Sequence, residues 1–205
     1  THCISSAASD VYKRQSKMSA NKLQTFFGYN INFSQTSVDI NVFVCYNLYM
    51  VKILSLDLST KSSGYCVISN GSVIEYGTIS SQDKDFTVRG QYMAEFVRLL
   101  CEKYGKFDKV VIEELKVISN QKTLVMLAIV QGMVLRELNN SLVEFVSPTV
   151  WRKQFSLNGK REEAKRKAIA LCTSLGYKVK NDDEAEAILI GLFTLDKFDS
   201  VCYTR

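Results

Sequence analysis

Hydrophobic positions change their period along this chain, and the changes mark out its elements. Val51-Lys52-Ile53-Leu54-Ser55-Leu56 is a short, mostly apolar run ending on Asp57, the pattern of a strand buried on both faces. The small polar segment Leu58–Ser63 reads as a turn, and Gly64–Ser69 as a second strand. Asn70-Gly71 is a strong two-residue hairpin signal, so Val73–Ile79 is predicted to return antiparallel as a third strand. The period then lengthens. Met93, Phe96, Val97, Leu100 and Cys101 share one face of a helix predicted over Val88–Tyr104. Lys109–Leu115 encloses Val110-Val111-Ile112, another buried strand, and is followed by a long apolar helix over Gln121–Leu138 and a fifth strand over Leu142–Val146. Ser147-Pro148 reads as the N-cap and first residue of a further helix. Arg161–Leu175 forms a basic amphipathic helix ended by Gly176, and Asp182–Leu195 a last helix that opens on acids, where the helix dipole favours them. Three antiparallel strands, then helix–strand–helix–strand, then helices define an α/β chain: a mixed five-stranded sheet covered by helices.

Residues 1–49 lack this regularity. Thr1–Gln15 is small and polar, with Ser5–Gln15 resembling translated sequencing-adaptor read-through, and Asn21–Asn41 is rich in Asn, Gln, Ser and Phe. We expect the folded domain to span residues 50–205, starting at Met50, and residues 1–49 to be a non-native or disordered extension. A length of 205 residues and 46% hydrophobic content suffice for one domain with its own core.

Charge sharpens the picture locally rather than globally. The net charge is +5, but residues 148–180 alone hold nine Lys or Arg against two Glu. A block of that kind suits phosphate contacts, although a solvated helix face would look the same. The single histidine, His2, rules out a Ser-His-Asp triad or a Cys-His dyad, and the six cysteines contain no CxxC pair. Catalysis therefore has to rest on carboxylates, lysines, hydroxyls or a bound metal. Cys66, Cys101 and Cys172 sit among apolar residues and read as core hydrophobes in a reducing compartment. The apolar stretch Val42–Val51 is too short to span a bilayer and lacks signal-peptide flanks, so a cytoplasmic protein without membrane contact is expected.

The chemistry gathers on acids. Asp57 and Glu113 each follow a short apolar strand, and adjacent parallel strands would bring both out at one sheet edge, where open α/β sheets bind ligands. Asp183 and Glu186, three apart at the start of the last helix, share a helical face. Singly, Asp57 could cap its turn, Glu113 or Glu114 could be an exposed strand end, and Asp182, Asp183 and Glu184 could be ordinary first-turn acids. Together at the ends of three elements they point to metal ligands. Oxygen donors without His or Cys select Mg²⁺, for which Mn²⁺ can substitute. Two such ions about 4 Å apart can serve phosphodiester cleavage.

VKILSLDLSTKSSGYCVI (Val51–Ile68), VVIEEL (Val110–Leu115) and DDEAEAILIG (Asp182–Gly191) resemble the three acidic motifs of RuvC-type Holliday junction resolvases, most closely the compact bacteriophage form, over about residues 50–196. The resemblance implies an RNase H-like sheet of order 3-2-1-4-5 with helices on both faces. It implies a Mg²⁺-dependent endonuclease with two ions per site that resolves branched DNA in a bacterial host or phage-infected cell. By position Asp57 and Glu113 match the first two catalytic acids and Asp183 and Glu186 the last pair; Glu186 departs from the usual Asp, and Asp182 with Glu186 is the second choice. Lys165 matches a lysine near the scissile phosphate, and Lys160, Arg161, Lys165 and Arg166 a basic region facing DNA, though Lys165 could equally pair with Glu162 or Glu163. Lys116 stands where cellular enzymes usually place an aromatic, which implies broader action on branched DNA. Gln131-Gly132-Met133-Val134 resembles the dimer-interface helix, so helix 121–138 is expected to join two copies. Trp151 and Phe155 read as core residues. The alternatives are an RNase H-like nuclease on RNA/DNA hybrids, an ATP-binding sugar-kinase or actin-like fragment, and a non-catalytic DNA-binding protein.

Overall fold

The computed structural model describes residues 51–115, 120–138 and 141–203, with side chains to residue 197. The expectations for residues 1–49 and for Lys116 lie outside the described residues. Five strands, β1 (Lys52–Asp57), β2 (Ser62–Ser69), β3 (Ser72–Ser80), β4 (Lys109–Glu113) and β5 (Leu142–Val146), form one sheet of order β3-β2-β1-β4-β5. β1 pairs antiparallel with β2 and β2 with β3, while β1–β4 and β4–β5 are parallel. The β2–β3 turn has φ of 53° at Asn70 and 72° at Gly71, positive at both central residues as a type I′ hairpin requires.

Helices α1 (Phe86–Tyr104) and α2 (Gln121–Glu137) cover one face of the sheet; α3 (Pro148–Gln154), α4 (Arg161–Ser174) and α5 (Asp182–Tyr203) cover the other. The period-2 alternation of β1 divides the core between them. Ile53 joins Ile68, Val111, Trp151, Ile188 and Phe193 on the α3–α5 side. Leu54 and Leu56 join Met93, Val97, Ile112, Val130 and Val134 on the other. The helix predicted to stop at Leu195 runs to Tyr203, and no Gly or Pro follows Gly191 to break it. α1 approaches α2 closely at Gly90, where a Cβ would lie 2.8 Å from the Met133 sulfur; at Gly132, the glycine expected between two copies, a Cβ would meet nothing of its own chain within 4 Å.

Candidate metal centre

The register of β1 against β4 aligns Leu56 with Ile112, so the next residues, Asp57 and Glu113, leave the sheet side by side at its carboxyl edge. The third carboxylate arrives on α5, which lies unusually close to the sheet. A Cβ on Gly64 of β2 would stand 1.9 Å from the Asp183 carbonyl oxygen, and one on Gly191 would stand 2.8 Å from the Ser55 hydroxyl. The buried Ser55 hydroxyl donates to the Ala187 carbonyl at 2.7 Å, tying β1 to α5 in mid-sheet. Small residues at these crossings therefore let the first turns of α5 settle over the end of β1. One carboxylate oxygen from each of Asp57, Glu113 and Glu186 then lies within 4.8 Å of the others.

Burial makes this gathering costly in the ionised state. Burial, followed by the charges of Glu113, Glu186 and Asp183, pushes the Asp57 carboxyl well above the usual range, and Arg152 only partly opposes them. Glu186 is likewise raised by burial, against the pull of Arg152 and a hydrogen bond from Asp57. Two groups on α3 answer the negative charge. The Trp151 indole N–H donates to Glu113 Oε2 at 2.9 Å. Arg152 Nη2 donates to both Glu186 oxygens at 3.0 and 3.1 Å and lies 3.7 Å from Glu113 Oε2. A side-chain cation thus bridges two of the three acids, as a divalent ion would. The donor set, all carboxylate oxygens, fits Mg²⁺ or Mn²⁺.

The structure brings Asp57, Glu113 and Glu186 together but holds Asp183 beside them. The Asp183 carboxylate accepts from the Ser62 hydroxyl, and burial raises its carboxyl against that bond. Asp182 turns to Lys165, 2.5 Å away. Lys165 is therefore paired neither with Glu162 nor with Glu163; Glu163 takes Lys167 instead, at 2.6 Å. Lys160, Arg161 and Arg166, at the start of α4, are exposed. Trp151 and Phe155 do belong to the core, but sequence reasoning missed the contact of Trp151 with Glu113, and missed Arg152 and Ser62 altogether. The first had a signal: a buried tryptophan N–H requires an acceptor.

The fold and this placement of acids define the class: the chain has the RNase H-like fold of RuvC. Thermus thermophilus RuvC in complex with Holliday junction substrate superposes with a TM-score of 0.57 at 16% identity, over 74% of this chain and 95% of that one. Thermus thermophilus RuvC gives 0.56 at 17%, over 74% and 96%. The yeast mitochondrial Holliday junction resolvase gives 0.46 at 14%, over 80% and 91%. The chain belongs to the family described as Lactococcus phage M3 protein, whose model matches residues 50–195. No curated protein matches its sequence.

Proposed function

We propose that this chain is a Mg²⁺-dependent, structure-specific endonuclease that resolves Holliday junctions or related branched DNA. The observation that carries the reading is the carboxylate trio in which Asp57 and Glu113, at the strand ends of a RuvC-type sheet, meet Glu186 of α5. These three would hold the metal, with Asp183 completing the set from the Ser62 side. When bound, two such ions supply an ionised water and neutralise charge on the attacking and leaving oxygens. Asp57, between β4 and α5, orients the set. Trp151 fixes the rotamer of Glu113 through its 2.9 Å hydrogen bond. Lys165, positive and held at the start of α5 by Asp182, faces the phosphate, and Lys160, Arg161 and Arg166 hold the flanking DNA. Lys116 in place of an aromatic broadens the choice of branched substrate.

The nuclease domain is residues 50–205, acting in the cytoplasm of a bacterial or phage-infected cell as a homodimer through helix 121–138. Val125 and Ile129, 50% and 39% exposed on α2, support that interface. No helix among the described residues is long and apolar enough to cross a membrane.

The test is incubation with four-way junction, flap, duplex and RNA/DNA hybrid, in Mg²⁺ and in EDTA. Paired nicks in the junction, dependent on Mg²⁺, are expected. Asp57→Asn should still bind the junction but leave it uncut; cutting by this variant in Mg²⁺ would sink the metal assignment. Cleavage confined to the hybrid would move the reading to an RNase H-type enzyme.

A further inference from the structure

Next to the acid centre, on its Ser62 side, lies a cleft of about 1110 Å³ that the reaction proposed above does not use. Its floor is Gly77, Thr78 and Ser80 of β3, the edge strand of the sheet. One wall comes from Lys61 and Ser62 of the β1–β2 turn and Ser81–Lys84 after β3; the other comes from Lys178, Lys180 and Asn181 before α5.

Both walls are fixed to the fold. Arg89 of α1, only 6% exposed, donates from Nε to the Thr60 carbonyl at 2.6 Å and from Nη1 to the Asp83 and Lys84 carbonyls at 2.6 and 2.9 Å. One buried cation thus ties the two loops of the first wall together. Opposite, the Lys178 N–H donates to the Tyr76 hydroxyl at 2.9 Å, the Lys180 N–H to Glu184 Oε2 at 2.8 Å, and Asn181 Nδ2 to Thr78 Oγ1 at 2.9 Å. Backbone amides, not ammonium groups, make the first two bonds. The Lys61, Lys84, Lys178 and Lys180 side chains remain exposed and make no ion pair among the described residues. The acids lining the cleft are Asp83 and Glu184, and Glu184 is buried at 3% exposure with its carboxylate already bound to the Lys180 N–H. The cleft is therefore rigid, positive and rich in hydroxyls. These features suit a run of phosphates, not an apolar ligand. Ser62, which lines the cleft, donates its hydroxyl to Asp183, the acid beside the trio.

We propose that this cleft is a binding subsite for the phosphate backbone of one DNA arm running from the acid centre along the β3 edge. The proposal rests on the branched-DNA reading above. It assigns Lys178 and Lys180 to phosphate contacts remote from the reacting bond.

The experiment uses the full chain carrying Asp57→Asn, so that a labelled four-way junction is bound without being cut, and measures affinity across a salt series. Adding Lys178→Ala and Lys180→Ala should weaken binding roughly tenfold and lower the salt slope by about 1.8, two phosphate contacts' worth. The control, Lys106→Glu, makes the same change in net charge on the loop before β4, at the opposite end of that strand from Glu113, and should stay within about twofold of the parent. Trimming the junction arms to a few base pairs should erase the difference between the double variant and the parent. Equal affinity and slope for the double variant and the control would overturn the subsite while leaving the nuclease reading intact. No junction binding by Asp57→Asn alone would overturn both.

Discussion

On the face covered by α3, α4 and α5, small residues let a helix sink onto the sheet: Gly64 meets the Asp183 carbonyl of α5, and Ser55 meets Gly191 and the Ala187 carbonyl of α5. Ile188, Leu189 and Ile190 are wholly buried beneath it, each contributing ~1.5–3 kcal/mol by removal from water. On the face covered by α1 and α2, the same kind of apolar sequence stays partly outside. Val88 and Tyr92 of α1 and Val125 and Ile129 of α2, each pair four residues apart, are 39–51% exposed. The contrast teaches that apolar content alone does not distinguish a core helix from an association helix. The size of the residues at the crossing decides, because it sets how closely backbones approach. The closed face gains the positional precision that three converging carboxylates need, and the open face keeps an exposed apolar stripe, which the proposed dimer would cover.

The largest expected effect comes from breaking the closed face. Gly64→Ala places a methyl group where the Asp183 carbonyl now stands, so α5 must move out. Overpacking of this kind costs about 1–3 kcal/mol, and a shift near 1 Å at the acids costs on the order of 100-fold in rate. Urea unfolding together with junction cutting would measure both; a variant as stable and active as the parent would show that α5 does not depend on this contact.

Arg152 tests the same face by charge. Its Nη2 neutralises Glu186 and approaches Glu113, the side an incoming ion would share, while its buried Nε–H finds no acceptor among the described residues. Arg152→Gln leaves the acids opposed and should lower the stability of the metal-free protein by about 1–2 kcal/mol, below the cost for a fully buried pair because the side chain is partly exposed. Mn²⁺ should then raise its melting temperature by more than it raises the parent's. An identical Mn²⁺ response in the two proteins would mean that Arg152 does not share the ions' position.

Proton linkage gives the next effect. Asp57, Asp183 and Glu186 are all raised in the folded state, so between the ordinary carboxylate range and their folded values the native state holds more protons than the unfolded chain. Stability in EDTA should therefore fall as pH rises through that window and stay lower above it. Metal binding needs the ionised acids and should release protons, so calorimetry in buffers of different ionisation enthalpy should report proton uptake by the buffer. EDTA melting curves that instead rise with pH across the window would contradict the crowding of these acids.

Much of the fold was legible because its signals are local. Short apolar runs named β1 and β4, Asn70-Gly71 named the β2–β3 hairpin, and the positions of Asp57 and Glu113 after buried strands placed them at one edge. Less of the centre was legible, because its tuning is non-local. Asp183 and Glu186 share a helical face, yet only Glu186 joins the tight trio, since Ser62 from β2 takes Asp183. Lys165 meets Asp182 across two helices, not the neighbouring Glu162 or Glu163 on its own. Arg152 carried no pattern of its own; it matters only because α3 sets it over acids brought in by β4 and α5. The close approach of α1 to α2 at Gly90 carried no sequence signal either, and only the packing shows it.

The smallest effect on the acids is expected from the open face, and it sharpens the contrast most cleanly. Ile129→Glu adds charge at a position already 39% exposed, so the stability of the folded chain should change by no more than about 0.5 kcal/mol. If α2 joins two copies, the same change buries an unpaired carboxylate in the middle of an apolar contact, and the dimer should dissociate. Light scattering should then give the mass of a single chain where the parent gives twice that, while the Mn²⁺-dependent rise in melting temperature survives. Cutting of the junction should shift from paired nicks to single, uncoordinated ones, because each separated chain keeps its own acids. A variant that remains dimeric would place the interface elsewhere and leave the exposed stripe on α2 without its partner. A variant that becomes monomeric and also loses its Mn²⁺ response would show that the two faces are coupled through the sheet, against the independence argued above.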